Sequence, residues 1–532
     1  MTDQENKKNN SENKVSRRDI LKGIATTPIL GVFAYDFYKQ KTLSKLKNKA
    51  VNFNLGISDE NLEPQETNKI SGELVRIGII GSGSRGKDLL KALGFVDKKW
   101  YDEQYANAKS GDKGAQHRLE TYHNQQVLNV HVVGVCDVFD MHAERAINTV
   151  SKGMQPNGKQ SSLPGVKRYL RYQELLADPN IDAVIIATPD FHHANMTIDA
   201  VKAGKHVYCE KAMTLTEDEL HKVYSVVKKS GVVFQLGHNY TKSETFKKAK
   251  EVVDKNLLGK ITLIESTTNR NTKSGAWIRH LDSFGNTKPG SLETIDWDQW
   301  LGNTPKVPFS IERYYGWARF FAYDTGLAGQ LFSHEIDAVN QIMGFGIPKS
   351  VTSSGGIYFY KDEPRDMPDT FQSVLEFPDR EFTMLYSASL ANSRSRGRVF
   401  MGHDANMEVG GSLKLIANGD STQYKDKIKN GLIDPSKPFY TYPKSIIDID
   451  GITSATEKYY AERGLIDTSV KGKNIDITHL HVKEWIDVIR NGGTTGCDIE
   501  KAFDDTIAVI MVHKSYVEQR RVEWDPIKKR II

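Results

Sequence analysis

Glycines occupy the first, third and sixth positions of Gly81-Ser82-Gly83-Ser84-Arg85-Gly86. That spacing suits one kind of chemistry, the binding of a diphosphate by bare backbone N–H groups. Gly81 permits a tight turn, Gly83 lets the backbone approach the phosphates, and Gly86 lets a helix pack close to a strand. Ser84 and Arg85 complete the predicted loop. The matching group for a ribose is a carboxylate about 20 residues further on. Asp137 lies 51 residues beyond Gly86, but the polar segment 97–126 reads as a 30-residue insertion, and removing it leaves 21. A carboxylate there accepts hydrogen bonds from ribose hydroxyls and repels a 2′-phosphate, so NAD is predicted over NADP. Arg85 is the one nearby residue that could accommodate the extra phosphate.

The elements that must position these groups follow from hydrophobic patterning. Leu74–Ile80 is an apolar run of strand type, and Leu89, Leu90 and Leu93 follow the glycines at helical spacing. Further strands are predicted at Val130–Val135, Ala183–Ala187, His206–Cys209 and Val232–Leu236. Helices are predicted from His193 to Ala203 and from Thr216 to Lys229. Strands alternating with helices argue for a doubly wound parallel sheet of Rossmann type, whose ligands lie at the carboxyl ends of the strands. Asp137, Thr188-Pro189, Glu210-Lys211 and Gly237-His238-Asn239 all occupy such ends.

Composition bounds the rest. The chain has 532 residues with a net charge of +5. Residues 1–50 hold eleven Lys/Arg against five Asp/Glu, so the remaining 482 residues sum to −1. A nucleic-acid-binding body would carry its basic residues on the fold itself. Cys136, Cys209 and Cys497 are too far apart for a disulfide framework or a zinc pattern, and no metal is predicted. No apolar run is long enough to span a membrane. Ser16-Arg17-Arg18-Asp19-Ile20-Leu21-Lys22, then an apolar stretch from Gly23 to Tyr35, resembles a twin-arginine export signal over residues 1–34. Val32-Phe33-Ala34 would be its cleavage site, and an uncut leader would anchor the chain to a membrane. The prediction is therefore a periplasmic or exported protein, with residues 35–73 as a linker.

Six segments together resemble the Gfo/Idh/MocA oxidoreductase family. They are GSGSRG (81–86), RYQELLADPNIDAVIIATPDFHHA (171–194), GKHVYCEKAM (204–213), DWDQWLGNTP (296–305), GLAGQLFSHEIDAVNQIMG (326–344) and HLHVKEWIDVIRNGG (479–493). The likeness runs from about residue 74 to 525 and is closest to the exported branch of the family. It implies a nucleotide-binding domain over 74–236 and a substrate domain over 237–532, built on a mostly antiparallel open sheet, with a second excursion at 424–474. It also implies a carbohydrate or cyclitol substrate and a homo-oligomer. Lys211 matches the lysine that orients the substrate hydroxyl, although Ala212 stands where the family has proline. His193 matches a histidine near the cofactor. His334 matches the proton-accepting histidine, but Gln330 stands four residues before it where the family has aspartate.

A Gln cannot accept a proton or lend charge to an imidazole. On a single helix from Ala328 to Met343, Gln330, His334 and Asp337 would share one polar face, with Asp337 able to orient His334. Tyr315 and Arg319 sit in an aromatic run that suits sugar stacking. The expectation is NAD-dependent oxidation or reduction of a carbohydrate hydroxyl or keto group, with the NAD tightly held. The departures at Ala212 and Gln330 keep two alternatives open, a redox-neutral NAD-dependent glycosidase and a non-catalytic NAD- or carbohydrate-binding protein.

Overall fold

The computed structural model describes residues 55–56, 72–163, 165–271, 276–282, 285–442, 467–470 and 473–532. The predicted export signal and most of the linker lie outside them. Among the described residues no helix is long and apolar enough to cross a membrane.

Within the unit spanning 60–532, the first sheet is six-stranded, in the order β3-β2-β1-β4-β5-β6. Its strands are β1 (Val75–Ile80), β2 (Val130–Cys136), β3 (Lys167–Tyr169), β4 (Ala183–Ile186), β5 (His206–Cys209) and β6 (Phe234–Leu236). All five pairings are parallel. Parallel strands are covered on both faces, so β4 reads as an unbroken apolar run and β1 is interrupted only by Arg76, which pairs with Asp182. β3 was not predicted; its KRY sequence carries no strand periodicity. The helix before β6, Glu217–Lys229, starts in a capping box in which Thr216 and Glu219 satisfy each other's backbone N–H groups. The core of this half includes Val482, Trp485 and Ile486, so the helix Ile477–Asn491 crosses back from the far part of the chain to cover the first sheet.

The second sheet has ten strands in the order β14-β13-β12-β11-β7-β10-β9-β8-β17-β18. They are β7 (Ile261–Thr267), β8 (Ser350–Gly356), β9 (Thr370–Phe377), β10 (Phe382–Ser389), β11 (Arg398–Gly402), β12 (Ala405–Val409), β13 (Leu413–Ala417), β14 (Tyr440–Tyr442), β17 (Val522–Asp525) and β18 (Arg530–Ile531). A separate hairpin pairs β15 (Asp467–Val470) with β16 (Lys473–Asp476). Only β7 and β10 run parallel in the large sheet; its other pairings are antiparallel. β10 and β11 to β13 alternate buried and half-buried residues, the pattern of a sheet with one face in the core.

The predicted insertion 97–126 folds as two packed helices, Lys98–Lys109 and Lys113–His123, started by Asp97 and Asp112 accepting from Trp100 N and Ala115 N. Tyr122 anchors the pair, its buried hydroxyl 2.7 Å from Met154 O. The excursion at 424–474 contributes the short helix Lys425–Lys429 and the edge strand β14. Residues 443–466 lie outside the described set.

The predicted single helix Ala328–Met343 is a composite. Ala328–Phe332 is π-helical and Ser333–Met343 is α-helical. The wider π-turn changes the angular phase between Gln330 and the residues after it, which breaks the expected common face. Phe332, Ile336 and Val339 are buried on one side of the helix, and the opposite side is buried as well. Glu335 on that side pairs with Arg398 of β11 at 2.7 Å and accepts from Ser266 of β7, which fastens the helix to the second sheet.

Candidate active site

The carboxyl ends of the first sheet open into a cleft of about 2570 Å³, whose far wall is formed by residues 279–334. A pocket for one small ligand typically holds roughly 300–1,000 Å³. This cleft has room for a dinucleotide and a second molecule.

One end is lined by the glycine loop. Gly81 has φ +84, and a Cβ there would lie 2.7 Å from the Ala187 carbonyl. A Cβ on Gly86 would lie 2.3 Å from Gly81 O, which explains the close helix-to-strand approach. A Cβ on Gly83 would meet nothing nearer than 3.8 Å, so the loop is bare on the side that faces the cleft. Helix Ser84–Ala92 begins there without a side-chain cap, leaving its first N–H groups for a ligand. These features fit a diphosphate. Asp137 stands at the end of β2, accepting from Ser82 N at 2.6 Å, Ser82 Oγ at 3.0 Å and Phe139 N at 2.9 Å. It therefore braces the loop as well as facing the cleft.

Arg85 does not turn toward Asp137. Its guanidinium donates to Glu210 at 2.7 Å, at the end of β5. Arg145, which the sequence reading did not single out, holds the other side of the loop by donating to Ser82 O at 2.7 Å. Thr188, Pro189, Glu210 and Asn239 line the cleft at the ends of β4, β5 and β6. Asn239 is held by its amide, which donates to Thr478 Oγ1 at 3.0 Å. The helical insertion reaches the same cleft with Gly114, His117 and Arg118.

At the other end Lys211, Gln330 and His334 share the wall. Lys211 Nζ donates to Gln330 Oε1 at 3.3 Å, and Gln330 Nε2 donates to Asp190 Oδ2 at 2.9 Å. The Gln330 amide is thus a bridge between an ammonium and a carboxylate, a task that needs one acceptor and one donor. Asp190 also accepts from Ala212 N at 3.3 Å. The Lys211–Ala212 peptide is cis. Burial raises Asp190 above the usual carboxylate range. Burial first, and the charge of Asp190 second, push Asp324 well above it. Both carboxyls lie beside the Lys211 ammonium, and Gln330 adds no third charge to the pair. His334 begins the α-helical segment and stacks on Tyr240, with ring centroids 4.8 Å apart. Burial, then the Lys211 ammonium, push its imidazole well below the usual histidine range, so it is neutral at pH 7.

Besides Gly86, which packs against Gly81, three predicted site residues are not in the cleft wall. His193 is fully buried, with Nδ1 2.7 Å from Ala212 O and Nε2 2.8 Å from Thr188 O. It ties the ends of β4 and β5 together and has no nitrogen left for a cofactor. Its neighbour His192 lines the cleft instead, with Nε2 2.8 Å from Trp300 O. Arg319 is also fully buried, paired with Glu312 at 2.8 Å and Glu363 at 3.4 Å, so it cannot reach a sugar. Asp337 turns into the interior toward His238, held there by the Gln341 amide, and does not orient His334. Tyr315 does line the cleft, its hydroxyl donating to Pro289 O at 2.9 Å.

Asp190 and Asp324 were missed as site residues. Asp190 follows Thr188-Pro189 at a strand end and was legible there as a position; Asp324 carries no local signal. The aromatic wall comes from Phe191, Trp300, Tyr314 and Tyr323, all in one cluster. Trp297 and Trp300 stack at 4.5 Å to close it.

The profile of the Gfo/Idh/MocA oxidoreductase family, with its NAD-binding Rossmann fold, matches residues 75–238. The chain is 30% identical over 151 residues to the myo-inositol 2-dehydrogenase of Thermotoga maritima, covering 26% of this chain and 45% of the relative. It is 30% identical over 176 residues to the D-xylose 1-dehydrogenase (NADP(+)) of Hypocrea jecorina, covering 32% and 44%. The matched regions span between 25% and 54% of the first curated relatives' own length. A levoglucosan dehydrogenase solved with NADH and levoglucosan shares the fold, with a TM-score of 0.54 over 85% of this chain and 99% of that one, at 17% identity.

Proposed function

We propose that this chain, whose residues 75–238 match the Gfo/Idh/MocA oxidoreductase family, is an NAD-dependent oxidoreductase interconverting a hydroxyl and a keto group on a sugar, cyclitol or glycoside. The observation that carries this reading is one cleft with a bare glycine loop and Asp137 at one end and Lys211 and His334 at the other. The names of the inositol and xylose dehydrogenases among its relatives support the substrate class.

When bound, NAD supplies the hydride acceptor for oxidation or the donor for reduction. The loop 81–86 and Asp137 hold its diphosphate and ribose. Lys211 donates a hydrogen bond to the reacting oxygen and stabilises the negative charge that grows there. The neutral imidazole of His334 accepts the hydroxyl proton at a ring nitrogen. Gln330 keeps Lys211 in line, and the Phe191–Trp300–Tyr314 wall excludes water and offers faces for a sugar ring. The reading includes export of the folded, NAD-loaded, self-associating chain by the twin-arginine route. N-terminal sequencing of the exported protein would refute cleavage if Met1 or Thr2 survived.

The test is to mix the purified chain, as isolated, with a panel of sugars, cyclitols and glycosides and follow the near-ultraviolet absorbance of reduced nicotinamide. A rise with one class supports the reading. Release of an aglycone with no rise would replace it by a redox-neutral glycosidase, and neither response with any ligand would overturn it.

Two variants probe the two ends of the cleft. Asp137→Ala removes the partner of Ser82 and Phe139 together with the ribose acceptor. It is expected to weaken NADH binding by about tenfold to a hundredfold, roughly 1–3 kcal/mol. Fluorescence titration measures this, and an unchanged Kd would remove Asp137 from the site. Asp324→Asn replaces a carboxyl beside Asp190 and Lys211 by a neutral amide. We expect kcat to fall by about tenfold to a hundredfold with NADH affinity unchanged. A wild-type kcat would make the carboxyl pair purely structural.

A further inference from the structure

Behind His334 four side chains converge that the reaction does not use. His238 follows the end of β6, Asp337 lies on helix Ser333–Met343, Cys497 precedes helix Ile499–Glu518, and Asp505 lies on it. All four are almost completely buried. His238 Nδ1 is 3.1 Å from Asp505 Oδ2, 3.7 Å from Asp337 Oδ1 and 3.8 Å from Cys497 Sγ. All four donor atoms lie within 4.8 Å of one another.

We infer that these four residues form a closed, four-coordinate site for a divalent transition-metal ion, with zinc the best match. Ligands at zinc-like bond lengths in a tetrahedron are separated by roughly 3.3–3.7 Å, close to the spacings observed around His238. The set of one imidazole, one thiolate and two carboxylates is too soft for magnesium or calcium and suits zinc. The outer partners are also in place. Asn340 Nδ2 donates to Asp505 Oδ1 at 2.8 Å, and Gln341 Nε2 donates to Asp337 Oδ2 at 2.5 Å. Each amide occupies one carboxylate oxygen and aims the other into the cluster, the usual way of fixing a monodentate ligand. Asp337 Oδ1, fully buried and turned into the cluster, accepts no hydrogen bond from any described residue.

The cluster sets three groups that can become anions against one imidazole, a donor set that suits a cation. Four protein ligands leave no open position, so the ion is structural. It would pin the helix carrying His334 to the strand end carrying Asn239. The spacings 238, 337, 497 and 505 match no sequence pattern for zinc, which is why sequence reading predicted no metal.

The test is independent of substrate. The full chain, purified without chelator, is expected to carry close to one equivalent of zinc by elemental analysis. After chelation, cobalt(II) should give the intense visible bands of tetrahedral coordination and a thiolate-to-cobalt charge-transfer band. Cys497→Ser should abolish the charge-transfer band, and Asp505→Asn should weaken cobalt binding at least about tenfold. Absence of zinc together with absence of a cobalt band in the unmutated chain would overturn the site. So would a charge-transfer band that persists in Cys497→Ser. If either variant fails to fold, the unmutated protein decides through its cobalt spectrum and a melting temperature that drops on chelation and recovers with zinc; no change in melting temperature would count against the site.

Discussion

Replacing Lys211 by methionine is expected to lower kcat by about a thousandfold, the loss seen when one charge-stabilising donor is removed from a reacting oxygen, about 4 kcal/mol. Methionine keeps the unbranched apolar stem and removes only the ammonium. Lys211 is half-buried in the cleft wall, and its one direct side-chain partner is Gln330 at 3.3 Å, so the fold should tolerate the change. NADH affinity should be nearly unchanged, because the glycine loop and Asp137 hold the other end of the cofactor. Single-turnover measurements on the NADH-loaded variant separate binding from chemistry. A kcat within a few fold of wild type would refute the assignment of the reacting oxygen to Lys211.

The second large effect is expected at His334. Exchanging it for asparagine keeps a polar, planar group beside Tyr240 but removes the proton acceptor. A lost general base typically costs a factor of about 10²–10⁴. The loss should fall on kcat rather than on NADH binding, since His334 faces the substrate end of the cleft. Lys211→Met with His334→Asn should cost less than the product of the single losses if both act on the same oxygen. Full additivity would place them on separate steps.

Gln330 shows how a departure from a family pattern can be absorbed. A neutral amide between Lys211 and Asp190 satisfies both, whereas a third carboxylate beside Asp190 and Asp324 would add like charge in a buried place. The motif alone reads as a loss of function; with the contacts in view it reads as a redistribution of charge.

The amino-acid sequence by itself determined the nucleotide-binding half. Alternating apolar strands and amphipathic helices, with glycines at a strand end, are local signals, and the turn, cap and close approach they require are satisfied within a few residues. For the same reason it determined that Asp137, Glu210, Lys211 and Asn239 stand along one edge, since in a parallel sheet every strand delivers its carboxyl end to the same side. Only the tertiary structure decided which side chains meet there. It turned Asp337 toward His238 and Gln341 rather than His334, and it sealed His193 and Arg319 behind carbonyls and carboxylates. It also brought Asp324 to Asp190, and His238 to Cys497 and Asp505, across more than a hundred residues. Such meetings are set by how helices and sheets pack, and packing depends on the whole chain at once rather than on any window of it.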